Sequence, residues 1–314
     1  MQEELLHIFP LHLRETLQKV TMKENTLEEI RIRIGQPVIF HMENEEWYLK
    51  KETGRLERSQ VNAYCATKED IKSMVKFISS YSLYAYEDEM KRGFITMQGG
   101  HRIGVAGQVV MDGGKVLSLS NIYFLNIRVA REKRGCAKDI IPYLIHRNNI
   151  YNTLFVSPPG IGKTTYLRDA IRILSNGSDR LHGMKISIID ERSEIAACRQ
   201  GIPQNDIGIR SDVLDGCLKS FGMLLMLRSM APQIIAVDEL GAESDFYAVE
   251  QALNCGSRVL GTIHAGNMKE LSEKPYLKRW MERRLFQRFI FLEKETNGRR
   301  KMQVYDEHME RITC

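Results

Sequence analysis

The sequence lacks any apolar segment long enough to cross a membrane. Its longest apolar run covers only residues 222–227, whereas a spanning helix needs about 20 residues. The opening stretch, MQEELLHIFP, begins with acidic side chains and has no apolar region typical of a signal peptide. Secreted and membrane-spanning classes are therefore disfavoured, and we expect a cytoplasmic protein.

Closely spaced cysteines are also missing. The six cysteines are scattered over 314 residues and form no CxxC pair, which argues against a zinc site or a disulfide framework and suits a reducing compartment. The net charge of +5 arises from 45 basic and 40 acidic residues. This excess is modest, and no basic stripe interleaved with aromatic residues is seen, so nucleic acid is disfavoured as a partner.

The pattern of the sequence changes near residue 150, which suits the prior of about 150 residues per domain. Residues 1–150 read as a smaller α+β domain, with an alternating strand at 27–34, an amphipathic helix at 68–84, a short helix at 138–147, and a hairpin turn at Asp112-Gly113-Gly114. No catalytic constellation occurs there, so we expect a role in regulation or oligomerisation.

Residues 151–314 alternate between short apolar strands and helices, which predicts an α/β domain built on a parallel sheet. The predicted strands are 153–156, 185–189, 234–237 and 258–262, and the predicted helices are 164–174, 213–230 and 243–254.

A phosphate-binding loop (P-loop, Walker A) is the strongest local signal. It follows the first apolar strand and opens a helix, and it reads Ser157-Pro158-Pro159-Gly160-Ile161-Gly162-Lys163-Thr164-Thr165. Apart from Ser157, which replaces the first glycine, it fits GxxxxGK[ST]. The glycines let backbone N–H groups approach phosphate, Lys163 supplies a charge for the β- and γ-phosphates, and Thr164 offers a hydroxyl ligand for Mg²⁺. The sequence therefore predicts binding of ATP with Mg²⁺.

A second apolar strand, 234–237, runs into two carboxylates in the manner of a Walker B strand. Asp238 is predicted to hold Mg²⁺, and Glu239 to polarise the attacking water. By itself, such a strand followed by a solvated acidic turn would be ambiguous, and the P-loop upstream favours the catalytic interpretation.

Two more strands end in polar residues. Asp190-Glu191-Arg192-Ser193-Glu194 follows the strand at 185–189, and Gly261-Thr262-Ile263-His264-Ala265 ends the strand at 258–262. Because the carboxyl ends of parallel strands face the ligand crevice, Glu191 and His264 are candidate catalytic residues. A histidine at a strand end is more often a structural hydrogen-bonding residue, and both interpretations of His264 stay open here.

The order of these motifs resembles the type II and type IV secretion ATPase superfamily. The P-loop, the acidic box at 190–194, Leu227-Arg228 before Pro232, the Walker B strand and Thr262-Ile263-His264-Ala265 carry the resemblance. Within the superfamily, the loop SPPGIGKTT and the stretch GGHRIGVAGQVV at 99–110 are similar to the stage III sporulation AA family.

The resemblance implies a RecA-like ATPase domain and a homo-oligomeric ring, most simply a hexamer. It also implies a cytoplasmic ATPase of the mother cell, peripheral to the membrane, whose partners are membrane channel proteins and which powers or assembles a channel to the forespore. In such rings a neighbouring subunit supplies arginines to the site. Arg128 and Arg131 are the candidates here, with Arg210 and Arg228 as alternatives, although each could equally be a solvated strand residue. The alternative function is a P-loop ATPase that acts on nucleic acid, and a nucleotide-sensing ring without catalysis is the third.

Overall fold

The computed structural model describes residues 2–20, 26–43, 45–79, 86–91, 93–147, 149–179, 181–294 and 300–312. The chain divides into two compact units between Arg131 and Glu132, earlier than the change of sequence pattern near residue 150. The intervening residues belong to the second unit because their apolar side chains pack into its core, namely Ala137, Ile140, Leu144 and Ile150.

The first unit is an antiparallel sheet accompanied by short helices. Its helices are α1 (Glu3–Leu6), α2 (Leu11–Gln18), α3 (Lys68–Ile78) and α4 (Glu87–Lys91), with a short 3₁₀ helix at Gln98–Gly100. Its strands are β1 (Leu27–Arg33), β2 (Ile39–Met42), β3 (Glu45–Leu49), β4 (Leu56–Glu57), β5 (Phe94–Thr96), β6 (Arg102–Asp112) and β7 (Lys115–Arg128). They follow the order β4-β3-β2-β1-β7-β6-β5.

Local chemistry explains the elements that the sequence predicts in this unit. The strand expected at 27–34 is confirmed as β1, whose Ile30 and Ile32 are buried in the core. The predicted hairpin is confirmed as β6 and β7, which pair from Asp112 and Lys115 outward. Helix α3 begins at Lys68 behind a capping box; residues 80–84 of the predicted helix lie outside the described residues.

The second unit alternates strands and helices. Its helices are α5 (Ile141–Leu144), α6 (Lys163–Asn176), α7 (Lys219–Met230), α8 (Glu243–Asn254), α9 (Met268–Glu273) and α10 (Pro275–Glu282). Its strands are β8 (Ile145–His146), β9 (Asn149–Ile150), β10 (Thr153–Ser157), β11 (Ile186–Asp190), β12 (Ser211–Asp215), β13 (Ile234–Val237), β14 (Arg258–His264), β15 (Arg288–Lys294), β16 (Arg300–Tyr305) and β17 (Arg311–Ile312).

The main sheet of this unit has the order β12-β11-β13-β14-β10-β15-β16-β17. The first six strands in this order, β12, β11, β13, β14, β10 and β15, are parallel to one another. Strands β16 and β17 extend the sheet in antiparallel fashion. Successive side chains enter two different cores: Phe155 packs on one face, and Leu154 and Val156 pack on the other. A parallel sheet buried on both faces confirms the predicted α/β fold.

Two predicted helices are shorter than the sequence pattern suggests. The helix expected at 213–230 is wrong at its start, because Val213 pairs with Ile188 in β12 and β11, and Gly216 (φ +68°) precedes α7. The helix expected at 138–147 is reduced to α5, since Ile145 and His146 form the hairpin of β8 and β9. None of the helices in the described ranges is long and apolar enough to span a bilayer.

Candidate active site

The phosphate-binding loop connects β10 to α6, as the sequence predicts. Gly160 and Gly162 both have positive φ, at +78° and +107°, a region that glycine enters without steric cost. Ser157 is buried and its hydroxyl donates to the carbonyl of Pro158 at 2.8 Å. The φ angle of Ser157 is not positive, so this position does not require the glycine of the general motif.

Lys163, the first residue of α6, reaches across to the end of β14. Its ammonium lies 2.8 Å from Nδ1 of His264. Burial lowers the pKa of Lys163, and the negative charges of Asp238, Glu239 and Glu194 oppose that shift. Because an ammonium can only donate, Nδ1 of His264 must accept, which leaves the proton of a neutral imidazole on Nε2.

Nε2 of His264 lies 2.8 Å from Oε1 of Glu239. The other carboxylate oxygen of Glu239, Oε2, contacts Nη1 of Arg192 at 2.7 Å. Burial raises the pKa of Glu239, but the hydrogen bond from His264 and the charges of Arg192, His264 and Lys163 outweigh it, so the pKa falls below its ordinary value. Lys163, His264, Glu239 and Arg192 thus form one continuous line of polar contacts.

Asp238 is fixed by two threonine hydroxyls. Thr164 donates to Oδ2 at 2.8 Å, and Thr262 donates to Oδ1. The Thr262 hydroxyl in turn accepts the backbone N–H of Glu239 at 2.8 Å. The threonine of the Thr-x-His-Ala sequence therefore holds the carboxylate of Asp238 and the backbone of Glu239.

Thr164 and Asp238 are the residues that the sequence predicts as ligands of Mg²⁺. Their oxygens lie next to each other at the start of α6, and oxygen donors are what Mg²⁺ prefers. Mg²⁺ keeps several waters and takes few protein ligands when it binds with a nucleotide. The donor set therefore fits this ion.

The acidic box at 190–194 has divided roles. Asp190 is buried and accepts the N–H groups of Glu194, Ile195 and Ala196 at 2.8–3.0 Å. Burial raises its pKa to about 6, against the lowering effect of those donors. Glu191 forms an ion pair with Lys219 at 2.6 Å. A catalytic role for Glu191 stays a prediction, whereas Arg192 is the member of the box that contacts Glu239.

The two arginines predicted to act on a neighbouring subunit have different surroundings within the first unit. Arg128 ends β7 and is exposed. Arg131 donates to the carbonyls of Thr26 and Leu27 at 2.5 and 3.2 Å and to the carboxylate of Glu28 at 3.3 Å. Their action in trans stays a prediction.

Two arginines in this region have no motif that marks them in the sequence. Arg192 lies within the acidic box, and its partner Glu239 lies on a different strand end. Arg300 begins β16, and a Cβ added to Gly162 would lie 3.0 Å from its Nη2 atom. Its guanidinium also lies 5.6 Å from the ring centre of Tyr166. Strands β15 to β17 carry no motif, so their proximity to the loop had no signal in the sequence.

The chain is similar to known proteins over nearly its whole length. A family model described as sporulation stage III, protein AA matches residues 1–312. The chain is 38% identical over 304 residues to stage III sporulation protein AA of Bacillus subtilis (strain 168), covering 96% of this chain and 94% of that protein.

Solved structures with a similar fold have lower sequence identity. The ATPase DotB of Legionella pneumophila is 17% identical, with a TM-score of 0.53 over 93% of this chain and 77% of that one. The pilus retraction motor PilT, solved with bound ADP, is 16% identical, with a TM-score of 0.59 over 96% and 82% of the two chains. These similarities confirm the expected secretion-ATPase fold.

Proposed function

Since the chain belongs to the sporulation stage III protein AA family, we propose that it is a secretion-type ATPase that serves endospore formation. The observation that carries the proposal is the line of contacts from the P-loop Lys163 through His264 to the Walker B Glu239. It joins a phosphate-binding group to a carboxylate suited to activating water.

The loop and the first turn of α6 would bind the phosphates of ATP. Backbone N–H groups around Gly160 and Gly162 meet the helix N-terminus, where anions are stabilised. Lys163 is buried and would exchange its contact with His264 for the β- and γ-phosphate oxygens. Mg²⁺ held by Thr164 and Asp238 would neutralise charge on the same phosphates.

Hydrolysis needs a base for the attacking water, and Glu239 is placed for that role. Its low pKa keeps it ionised at neutral pH, so one carboxylate oxygen can accept the proton of water as the water attacks the γ-phosphorus. His264 orients this carboxylate through Nε2 and responds to Lys163 through Nδ1. His264 would therefore report the presence of phosphate to the base.

We extend the proposal to assembly. The chain would form a homo-oligomeric ring, most simply a hexamer, with Arg128 or Arg131 acting on the nucleotide of a neighbour. From the mother-cell cytoplasm, at the membrane periphery, the ring would drive or assemble a channel to the forespore together with membrane proteins. The secretion-ATPase fold supports a ring, and family membership supports the sporulation context.

The test is release of phosphate from ATP and Mg²⁺ by the purified full chain, with and without membranes, while light scattering measures particle size. We expect hydrolysis that Lys163→Ala abolishes. Absence of both nucleotide binding and hydrolysis in every assembly state would overturn the proposal. Salt-dependent retention on a DNA column would instead favour the nucleic-acid alternative.

A further inference from the structure

Arg192 holds the side of Glu239 that His264 leaves free. His264 contacts Oε1, and Arg192 contacts Oε2 at 2.7 Å. Both oxygens of the proposed base are therefore engaged by cationic or proton-donating partners. Glu239 also has φ +51°, a conformation that non-glycine residues adopt only when their surroundings hold them there.

The sheet explains how Arg192 reaches this position. Strands β11 and β13 are neighbours, and Ile189 lies opposite Val237 in their register. Arg192 and Glu239 follow these residues on adjacent strand ends, at the edge where ligands bind in open parallel sheets. The acidic box thus delivers an arginine, and not only carboxylates, to the crevice.

Arg192 is well placed to change partners. Its side chain is 62% exposed, whereas that of Glu239 is 25% exposed. Among the described residues, the Glu239 carboxylate is the partner that the structure gives its guanidinium. Leaving Glu239 would therefore break no other contact of Arg192 within the described part of the chain, and solvent around the exposed guanidinium keeps the net free energy of the ion pair small.

A guanidinium binds phosphate with the same two-pronged geometry as carboxylate. A terminal γ-phosphate carries more negative charge than one carboxylate, and ADP has no γ-phosphate. The γ-phosphate of a triphosphate in the crevice would thus compete with Glu239 for the guanidinium of Arg192. A diphosphate has no γ-phosphate and would not compete in this way.

On this basis we propose that Arg192 reads the γ-phosphate within its own subunit. Through its contact with Oε2, Arg192 restrains Glu239; when ATP binds, it transfers to the γ-phosphate and leaves Oε2 free to accept a proton from the attacking water. This inference rests on the proposed ATPase function and adds to it a residue that distinguishes ATP from ADP.

The experiment measures affinity for ADP and for a non-hydrolysable β,γ-imido analogue of ATP by titration calorimetry on the full chain with Mg²⁺. Arg192→Gln should weaken binding of the analogue about tenfold, as loss of one charge-assisted contact implies, and leave ADP affinity unchanged. Arg192→Lys should fall between, because it keeps the charge without the fork. Arg31→Gln is the matched control, because its exposed guanidinium also pairs with a half-buried carboxylate, that of Glu29 on β1, and it should change neither affinity.

A double-mutant cycle tests the exchange of partners. Glu239→Gln weakens the hold on Arg192, so it should strengthen binding of the analogue more in the parent than in the Arg192→Gln background. Equal effects in both backgrounds would overturn the exchange. Thermal unfolding of each variant shows that it is folded before its affinities are compared.

The possible failures are distinguishable. A parent chain that binds neither nucleotide contradicts the ATPase proposal, and the inference about Arg192 with it. A parent that prefers the analogue over ADP, with the same preference in folded Arg192→Gln and Arg192→Lys, overturns only the role of Arg192. An equal loss of affinity for both nucleotides would assign Arg192 to general loop structure and would also overturn it.

Discussion

Lys163, His264 and Glu239 are connected in series, so a substitution at either end changes a partner of His264, and a substitution of His264 changes a partner of both ends. His264 is the central member, since it accepts from Lys163 and donates to Glu239. The sequence left the function of this histidine open between structure and catalysis. Its contacts place it between the phosphate-binding lysine and the proposed base, and measurements that separate binding from turnover test its role.

Lys163→Ala and Glu239→Gln should affect different steps. Loss of the Lys163 charge should weaken ATP affinity at least tenfold, because a charge-assisted hydrogen bond contributes about 1.5–3 kcal/mol. Glu239→Gln should leave affinity intact or slightly stronger while turnover falls by about 10²-fold or more. Calorimetric binding and phosphate release measure the two steps, and residual hydrolysis in Glu239→Gln comparable to the parent would refute Glu239 as the base.

His264→Ala should lower kcat more than it changes ATP affinity. Without the imidazole, Glu239 loses the donor on Oε1 and the base is no longer oriented, whereas the backbone of the loop still binds phosphate. Steady-state kinetics and equilibrium binding on the same preparation give the comparison. If the variant is less stable but hydrolyses ATP normally per folded molecule, His264 is a structural residue only.

At the scale of helices and strands, elements with a clear period were predictable and elements fixed by tertiary pairing were not. The helix α8 and the strand β13 match their sequence patterns closely. The apolar spacing of α7 extends back to residue 213 and predicts helix there, but pairing with β11 makes residues 213–215 part of strand β12. Arg192 was missed for a related reason: its partner lies on a different strand, and nothing local marks the contact.

The free energy of unfolding should depend on pH through Asp190, the last residue of β11, whose carboxylate accepts N–H groups of the following loop. Its pKa is about 6 in the folded chain and 3.8 ordinarily, so the folded state binds the proton more tightly. The stability that Asp190 contributes is present below pH 4 and is lost as pH rises through 6. Relative to the parent, Asp190→Asn should therefore gain stability between pH 4 and 7, by about 3 kcal/mol at most.

Denaturant unfolding at a series of pH values checks this expectation. The exposed Asp212→Asn, on the neighbouring strand β12, is the matched control. A stability difference between parent and Asp190→Asn that stays constant from pH 4 to 7 would contradict the buried-carboxyl explanation.

At the scale of the whole chain, each unit has its own hydrophobic core and sheet. The candidate catalytic residues at the start of α6 and at the ends of β11, β13 and β14 all belong to the second unit. The first unit contributes the arginines predicted to act on a neighbouring subunit. Of the two, Arg128 is the cleaner probe, because Arg131 also holds Thr26 and Leu27 of its own unit. Substituting Arg131 would perturb the first unit as well as any intersubunit contact.

Mixing Arg128→Ala chains with Glu239→Gln chains should restore part of the ATPase activity if the arginine acts in trans. A mixed ring would contain composite sites with an intact arginine and an intact base. The recovery should need nucleotide and should disappear on dilution, since assembly follows mass action. Activity equal to the sum of the separate variants, with mixed rings visible by light scattering, would reject action in trans, and a fully active monomer would reject the ring.

The approach of Arg300 to Gly162 links the end of the chain to the nucleotide loop. Arg300 opens β16, which pairs along its length with β15 and carries β17 at the edge of the sheet. We therefore expect a ligand that rearranges the loop to change the opening equilibrium of these last strands. Their amide hydrogens would then exchange with solvent at a rate set by occupancy of the loop, which makes the terminal strands an internal reporter of nucleotide state.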